Sequence, residues 1–426
     1  MTVSPVIGGR NGGVQRKLAR GAATATSLVE RSCGKTVGVC GGLASVDRNA
    51  IDTLLAASLR GEPASDLGRA DADAMLERIT YHGIAGLLRD APGAMAGWPQ
   101  EISQRVSKEA VGQAMWELRH RHLLNDLLAG LASAKVVTLL LKGTALAYDL
   151  YPSPATRARG DSDLLIDPSA LATARRVFEQ LGFERVGVDG EHADRFALQE
   201  VWSQTCDGAM GHHIDLHWQT LKCPALSDIL PVGECIAHRI ALPRLGPDAM
   251  GLDRVRTLIH TCIHRMLNFT SPYFVGEQTY YGGDRLIWLN DIDLLARALS
   301  DAEWRSFVRL AIGAGVAAAC LDGLLTTQRH LATPVPACVG EALGAASTRS
   351  RAAVYLRARQ FGRAWQDLRA IRGVGRKYEY RLARALPSAA FVRDKFPLHA
   401  GLPLPLLYAR RVFDLFRARP AQSAER

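Results

Sequence analysis

The sequence predicts an α+β fold in which a small mixed sheet lies between an N-terminal and a C-terminal helical region. Three observations carry that prediction. From Asp47 to about Ala134, apolar residues recur at three and four positions, as in Leu118-Leu123-Leu124-Leu127-Leu128-Leu131, which is the period of helices buried along one stripe. Between Val136 and Trp218 the pattern changes to short apolar runs of strand length, among them Val136 to Leu141 and Leu164-Leu165-Ile166. After Pro231, helical spacing returns.

Taken in order, residues 1–45 are rich in Gly, Ala, Ser and Arg without an amphipathic period, so a disordered leader is expected there. Residues 46–135 form the helical N-terminal region, and 136–230 the sheet unit. Within that unit Val136 to Leu141 reads as a strand ending in a Lys142-Gly143-Thr144 turn, and a second strand carries Asp161 and Asp163. Pro168 to Leu181 reads as a helix, with Asp167 placed to cap its open N–H groups and Gly182 to stop it. Phe183 to Val188 and Ile214 to Trp218 complete the strands. Residues 231–330 hold helices over Arg254 to Leu267, Asp284 to Leu299 and Glu303 to Leu325, and 331–426 form a basic helical C-terminal region.

A chain of 426 residues with 48% apolar and 22% charged residues can bury a substantial core, and it exceeds the usual size of one domain. No apolar stretch has the length of a membrane span; the nearest, Leu310 to Leu325, is interrupted by Asp322. The first residues lack the continuous apolar segment of a secretory signal, so a cytoplasmic location is the expectation. Eight scattered cysteines without a CxxC pair suit small core residues in a reducing compartment.

The chemistry concentrates in Arg159-Gly-Asp-Ser-Asp-Leu-Leu-Ile166. Side chains two apart on a strand share a face, so Asp161 and Asp163 project together and Ser162 points the other way; Asp215 and His217 share a face in the same manner. Mg²⁺ takes hard oxygen ligands and commonly only one or two protein carboxylates, leaving room for substrate phosphates. Three acids on adjacent strands suffice for two Mg²⁺ or Mn²⁺ ions, the arrangement that serves phosphoryl transfer. Gly143 allows backbone to approach a triphosphate closely, and Thr144 offers a hydroxyl at the start of a helix whose N–H groups face the anion. Lys142, Arg157 and Arg159 are further candidates for phosphate contact. His217 and His264 are candidates for contact with an acceptor. The competing reading is structural: Asp-Ser-Asp as a capped turn, Gly-Thr as an ordinary helix start, and the histidines as packing residues. His260 and His264 stand one turn apart, but Thr261 occupies the place of the glutamate in the HExxH zinc motif.

An apolar strand, a Gly-Thr turn, Asp-x-Asp on a strand and a later strand acid together resemble the nucleotidyltransferase superfamily of the DNA polymerase beta type. The segments Leu141-Lys-Gly-Thr-Ala-Leu146, Tyr151-Pro-Ser-Pro154, Arg157 to Asp163 and His213-Ile-Asp-Leu-His-Trp218 look more closely like the uncharacterised bacterial nucleotidyltransferase family proteins. So do Tyr81-His-Gly-Ile-Ala-Gly-Leu-Leu88, His260-Thr-Cys-Ile-His264 and Arg285-Leu-Ile-Trp-Leu-Asn-Asp-Ile292. Gly143-Thr144 stands where Gly-Ser or Gly-Gly is commoner. The resemblance implies a nucleotidyltransferase palm. It also implies transfer of an NMP from NTP-Mg to an acceptor hydroxyl or phosphate with release of pyrophosphate, in a polysaccharide or peptide natural-product setting. By resemblance, Asp161 and Asp163 bridge both ions and Asp215 completes the ion on the nucleophile side. Two alternatives stay open: a toxin-like transferase acting on tRNA or protein, and a non-catalytic member that binds a nucleotide or a partner.

Charge is uneven. Arg349 to Arg419 carries seventeen Lys and Arg against four acids, so this segment outweighs the chain's formal net charge of +10 and the remainder is slightly acidic. With Tyr355, Trp365, Tyr378 and Tyr380 interleaved, it reads as solvated helices, as a surface for nucleic acid or another acidic partner, or as helices lying on an anionic membrane.

Overall fold

A computed structural model describes residues 48–62, 72–91, 93–186, 198–205, 211–221, 223–269, 272–275, 278–281, 283–347, 350–358, 360–385, 389, 392–393 and 401–417. The expected leader, 1–45, lies outside them. The chain divides into two compact units, one of residues 46–388 with 419–426 and one of residues 1–45 with 389–418. In the smaller unit, one helix of fourteen residues, Leu404–Arg417, is described. The larger unit carries the sheet and the helices packed on it.

Its helical start comprises α1 (Arg48–Leu59), α2 (Ala72–His82), α3 (Ala85–Asp90) and the long α4 (Gln100–Ser133). Then come β1 (Thr138–Leu141), α5 (Lys142–Asp149), β2 (Asp161–Ile166), α6 (Leu171–Gln180), β3 (Glu184–Val186), β4 (Gln199–Gln204) and β5 (His212–His217). The fold is α+β, as expected, with a seven-stranded mixed sheet in the order β3-β4-β5-β2-β1-β7-β6. Its centre pairs β1 with β2 antiparallel and β2 with β5 parallel.

The sheet does not end near residue 230. After α7 (Val232–Ala237), β6 (Arg239–Ala241) and β7 (Met250–Leu252) add an edge, β7 pairing with β1 through Leu140 and Gly251. Three-residue strands are too short to leave a period in the sequence, which is why only helices were expected there. β4 escaped notice for another reason: Gln-Glu-Val-Trp-Ser-Gln is polar, although it pairs along its whole length with β5 and buries Glu200 and Trp202.

Alternation along the strands builds two cores. Leu140, Leu164, Ile166, Ile214 and Leu216 face the last turns of α4 and α6, packing with Leu124, Leu128, Val177 and Phe178. Leu139, Leu141 and Leu165 face the other way, into the core shared with α8 (Arg254–Asn268), α9 (Leu286–Ala298) and α11 (Ala317–Leu331). Asp161 and Asp163 are in phase with Leu165, so the acids belong to the face that meets α8 and α9. The hairpin β8 (Pro272–Val275) and β9 (Gln278–Tyr281) lies between those helices in sequence.

The helix expected over Glu303 to Leu325 is two helices, α10 (Asp301–Gly313) and α11, broken at Gly315 with φ of +69°. α10 instead begins at a capping box, where the Glu303 carboxylate accepts from Ser300 N–H at 2.8 Å. Beyond α12 (Ala337–Ser347), the basic segment folds as α13 (Arg351–Arg357), α14 (Gln360–Ala370) and α15 (Val374–Ala385). Two aromatics expected as stacking surfaces turn inward, for the Tyr355 and Tyr380 hydroxyls both donate to buried Asp367, at 3.2 and 3.3 Å. Trp365 and Tyr378 stay exposed. Among the described residues no helix is long and apolar enough to cross a membrane.

Candidate active site

Asp163 and Asp215 are direct neighbours across the parallel β2–β5 pair, and Leu141, the last residue of β1, is the cross-strand partner of Asp163 on the other side. The register therefore delivers the turn after β1 to the same point as both acids. Asp163 and Asp215 are buried, whereas Asp161 is exposed at the start of β2. Donor atoms of Asp163, Asp215 and His217 all lie within 4.8 Å of one another. The two carboxylates at that spacing fit a divalent cation that prefers oxygen ligands, with His217 beside them hydrogen-bonded to Asp163.

Asp163 is the electrostatic centre. Its Oδ1 accepts from His217 Nε2 at 2.8 Å and from the Lys142 ammonium. Burial alone would raise its carboxyl pKa, but the Lys142 charge and the His217 hydrogen bond outweigh that and hold it well below the usual carboxylate range. Burial likewise works against the charge on Lys142, and Asp163 reverses the sign, leaving the ammonium pKa raised. Asp215 accepts from Gln199 Nε2 of β4 at 3.0 Å.

Lys142 begins α5 with φ of +50°, a left-handed value unusual outside glycine. That twist turns the chain sharply from β1 into the helix. Gly143 follows, and a Cβ there would lie 3.1 Å from the Arg157 guanidinium, so the glycine makes room for arginine. Arg157 in turn is held by Asp291 of α9, Nε to Oδ1 at 2.8 Å and Nη2 to Oδ2 at 2.7 Å, while its Nη1 donates to the Ala158 carbonyl.

A cavity of about 250 Å³ opens over these groups, lined by Lys142, Gly143, Arg157, Arg159, Asp161, Asp163, Asp215 and His264 among others. The structure thus gathers eight of the ten residues expected at the site. Of the other two, Thr144 leaves the site, whereas His217 keeps its hydrogen bond to Asp163 from the wall of a neighbouring cavity. Thr144 is buried and its hydroxyl meets Ser162 Oγ at 2.7 Å on the opposite face of the sheet, where Ser162 also contacts His120 Nε2 at 2.6 Å. The Thr144 side chain therefore serves a buried polar cluster under the sheet. His217 lines an adjoining cavity of about 210 Å³ together with His260 and Leu267. Arg159 reaches the cavity wall, yet its guanidinium pairs with Glu117 of α4 at 2.6 Å.

Sequence reasoning missed Asp291, Gln199, Asn268 and Arg285, of which all but Gln199 line the first cavity. A signal existed for Asp291. It lies four residues from both Ile287 and Leu295, which are buried, and a carboxylate on the apolar stripe of a helix calls for a partner.

A model of a family described as uncharacterised nucleotidyltransferase matches residues 68–332, well over half of the chain. The chain belongs to that family. Nucleotidyl transfer is thus the general chemistry of this nucleotidyltransferase, and the matched span holds the whole sheet together with α8 to α11. The basic segment lies beyond it. No curated protein matches the chain.

Proposed function

We propose that this nucleotidyltransferase moves a nucleoside monophosphate from NTP with Mg²⁺ or Mn²⁺ to an acceptor hydroxyl or phosphate, using a palm of the DNA polymerase beta type. The observation that carries the reading is the cross-strand pairing of Asp163 with Asp215 beside the Lys142-Gly143 turn. Asp163 and Asp215 would hold the cation, with Asp161 at the mouth as the third acid. The metal, when bound, supplies Lewis-acid stabilisation of the phosphates and lowers the pKa of the attacking hydroxyl. Lys142 would exchange Asp163 for a phosphate oxygen as the triphosphate enters, since its ammonium contacts Asp163 and Lys142 lines the cavity. Arg157 contributes by position, keeping the Gly143 turn against α9 through Asp291.

In the transfer itself the acceptor oxygen bonds to the α-phosphorus while the bond from that phosphorus to the bridging oxygen breaks, and pyrophosphate leaves. Where the acceptor is a hydroxyl, Asp215 would take its proton. Titration calorimetry of the full chain with NTP tests the reading. Binding should require Mg²⁺ or Mn²⁺, because the triphosphate and the three carboxylates otherwise repel. Equal affinity in EDTA would overturn it.

A further inference from the structure

The two cavities are contiguous, sharing Lys142, His264 and Asn268 in their walls, but they differ in chemistry. The first carries the carboxylates of Asp161, Asp163 and Asp215 and the guanidinium groups of Arg157, Arg159 and Arg285. Among the described residues lining the second there is no carboxylate, and Lys142, already engaged by Asp163, is the one permanent cation. Leu221 and Leu267 supply apolar surface. His260 Nε2 lies 3.0 Å from the Thr220 carbonyl, and burial, aided by the charge of Lys142, pushes its pKa down to about 4. It is therefore neutral, donates through Nε2 and keeps Nδ1 as an acceptor. The Cys223 thiol, pushed up to about 12 chiefly by burial, stays protonated. At the boundary, His264 packs edge-on to Trp288, with centroids 5.6 Å apart and planes at 85°.

We propose that the second cavity receives the nucleobase of the nucleotide whose phosphates occupy the first; the inference rests on the transfer reading above. A nucleotide is polyanionic at one end and a neutral heterocycle at the other, and the two cavities divide charge in that way. Apolar walls with a few oriented donors and acceptors are what recognition of a neutral ring requires. A charged acceptor placed there would lose its hydration to leucine side chains, and Lys142, the one permanent cation among the described lining residues, is already paired with Asp163.

The test compares the affinities of ATP, GTP, CTP and UTP with that of inorganic tripolyphosphate, which offers phosphates alone, on the full chain with Mg²⁺. At least one NTP should bind about tenfold tighter than tripolyphosphate, a difference of about 1.4 kcal/mol. Leu267→Trp, filling the second cavity, should erase that advantage while leaving tripolyphosphate affinity and the thermal melt unchanged. Should the tryptophan prevent folding, Leu221→Phe replaces it, and the wild-type comparison needs no variant. Tripolyphosphate binding as tightly as every NTP overturns the nucleobase assignment and leaves the transfer reading intact. So does an NTP advantage that survives in the folded variant, which would give the cavity to the acceptor. Absence of metal-dependent binding by both ligand types overturns the transfer reading, and this inference with it.

Discussion

Arg157, in the loop before β2, and Asp291, in the middle of α9, form a two-pronged buried ion pair that joins the sheet to the helix covering its acid-bearing face. Both side chains are under a tenth exposed, and Asp291 also accepts from the Tyr151 hydroxyl at 2.7 Å. This single carboxylate thus settles where Arg157 lies, and Arg157 settles how closely the Gly143 turn can approach.

Removal of one partner from such a pair leaves an uncompensated charge in the interior, at a cost of about 3–5 kcal/mol. Asp291→Asn is expected to destabilise the fold by that order and to weaken triphosphate binding, although Asp291 touches no phosphate in the proposed mechanism. Chemical denaturation beside NTP titration measures both effects. An unfolding midpoint indistinguishable from wild type would show that the pair does not hold the turn.

Gly143→Ala probes the same contact from the other side. Its Cβ would sit 3.1 Å from a guanidinium that Asp291 prevents from retreating, so overpacking of about 1–3 kcal/mol is expected together with reduced transfer. In the background Arg157→Ala the added methyl should cost little. A penalty equal in both backgrounds would place the strain elsewhere.

The two acids of Asp-Ser-Asp should separate in a melt. Asp161 is exposed, so Asp161→Asn is expected to leave stability nearly unchanged, while Asp163→Asn strips Lys142 of its nearest counter-charge and should destabilise. Both should lower transfer by about 100-fold or more, since even residues behind metal ligands matter at the 10–100-fold level. The sign of the pH dependence follows from the lowered carboxyl of Asp163: its contribution is present above the ordinary carboxylate pKa and fades as pH falls below it. Matching melts for the two variants would refute the assignment of Asp163 as the electrostatic centre.

Buried histidines act in a second, higher window. Burial, with a smaller push from Lys142, lowers His260 to about 4, and burial, with a smaller push from Arg159, lowers His120 to about 2. Below the ordinary histidine value the unfolded chain binds protons that the folded chain refuses, so stability should fall as pH drops, starting near neutrality. For His260 the loss is complete near pH 4 and amounts to about 3 kcal/mol. Urea unfolding between about pH 7 and about pH 5 checks it, and His260→Gln should flatten part of the slope. An unaltered slope in that variant would exclude His260 as a source.

Much of the sheet was legible because strand alternation is a local property. Asp161 and Asp163 share a face whatever surrounds them, and the runs at 138–141 and 164–166 are apolar enough to demand burial. The helices at 254–268 and 286–298 announced themselves by period. What stayed hidden was short or polar: β6 and β7 with three residues each, β4 with its glutamines, and the break at Gly315 inside an otherwise continuous helical pattern.

By itself, the sequence determined the α+β class, the face shared by Asp161 and Asp163, the turn at Lys142-Gly143 and the basic charge of 349–419, since each follows from neighbours a few residues apart. Only the tertiary structure decided what those residues touch. It set Asp215 beside Asp163 through the β2–β5 register, across about fifty residues of chain. It turned Thr144 to the buried face, spent Arg157 on Asp291 and Arg159 on Glu117, and placed His217 in a second cavity. The physical reason is that a side chain's direction follows from local backbone geometry, whereas its partner depends on which distant element the fold packs against it. A buried charge takes the counter-charge that packing supplies.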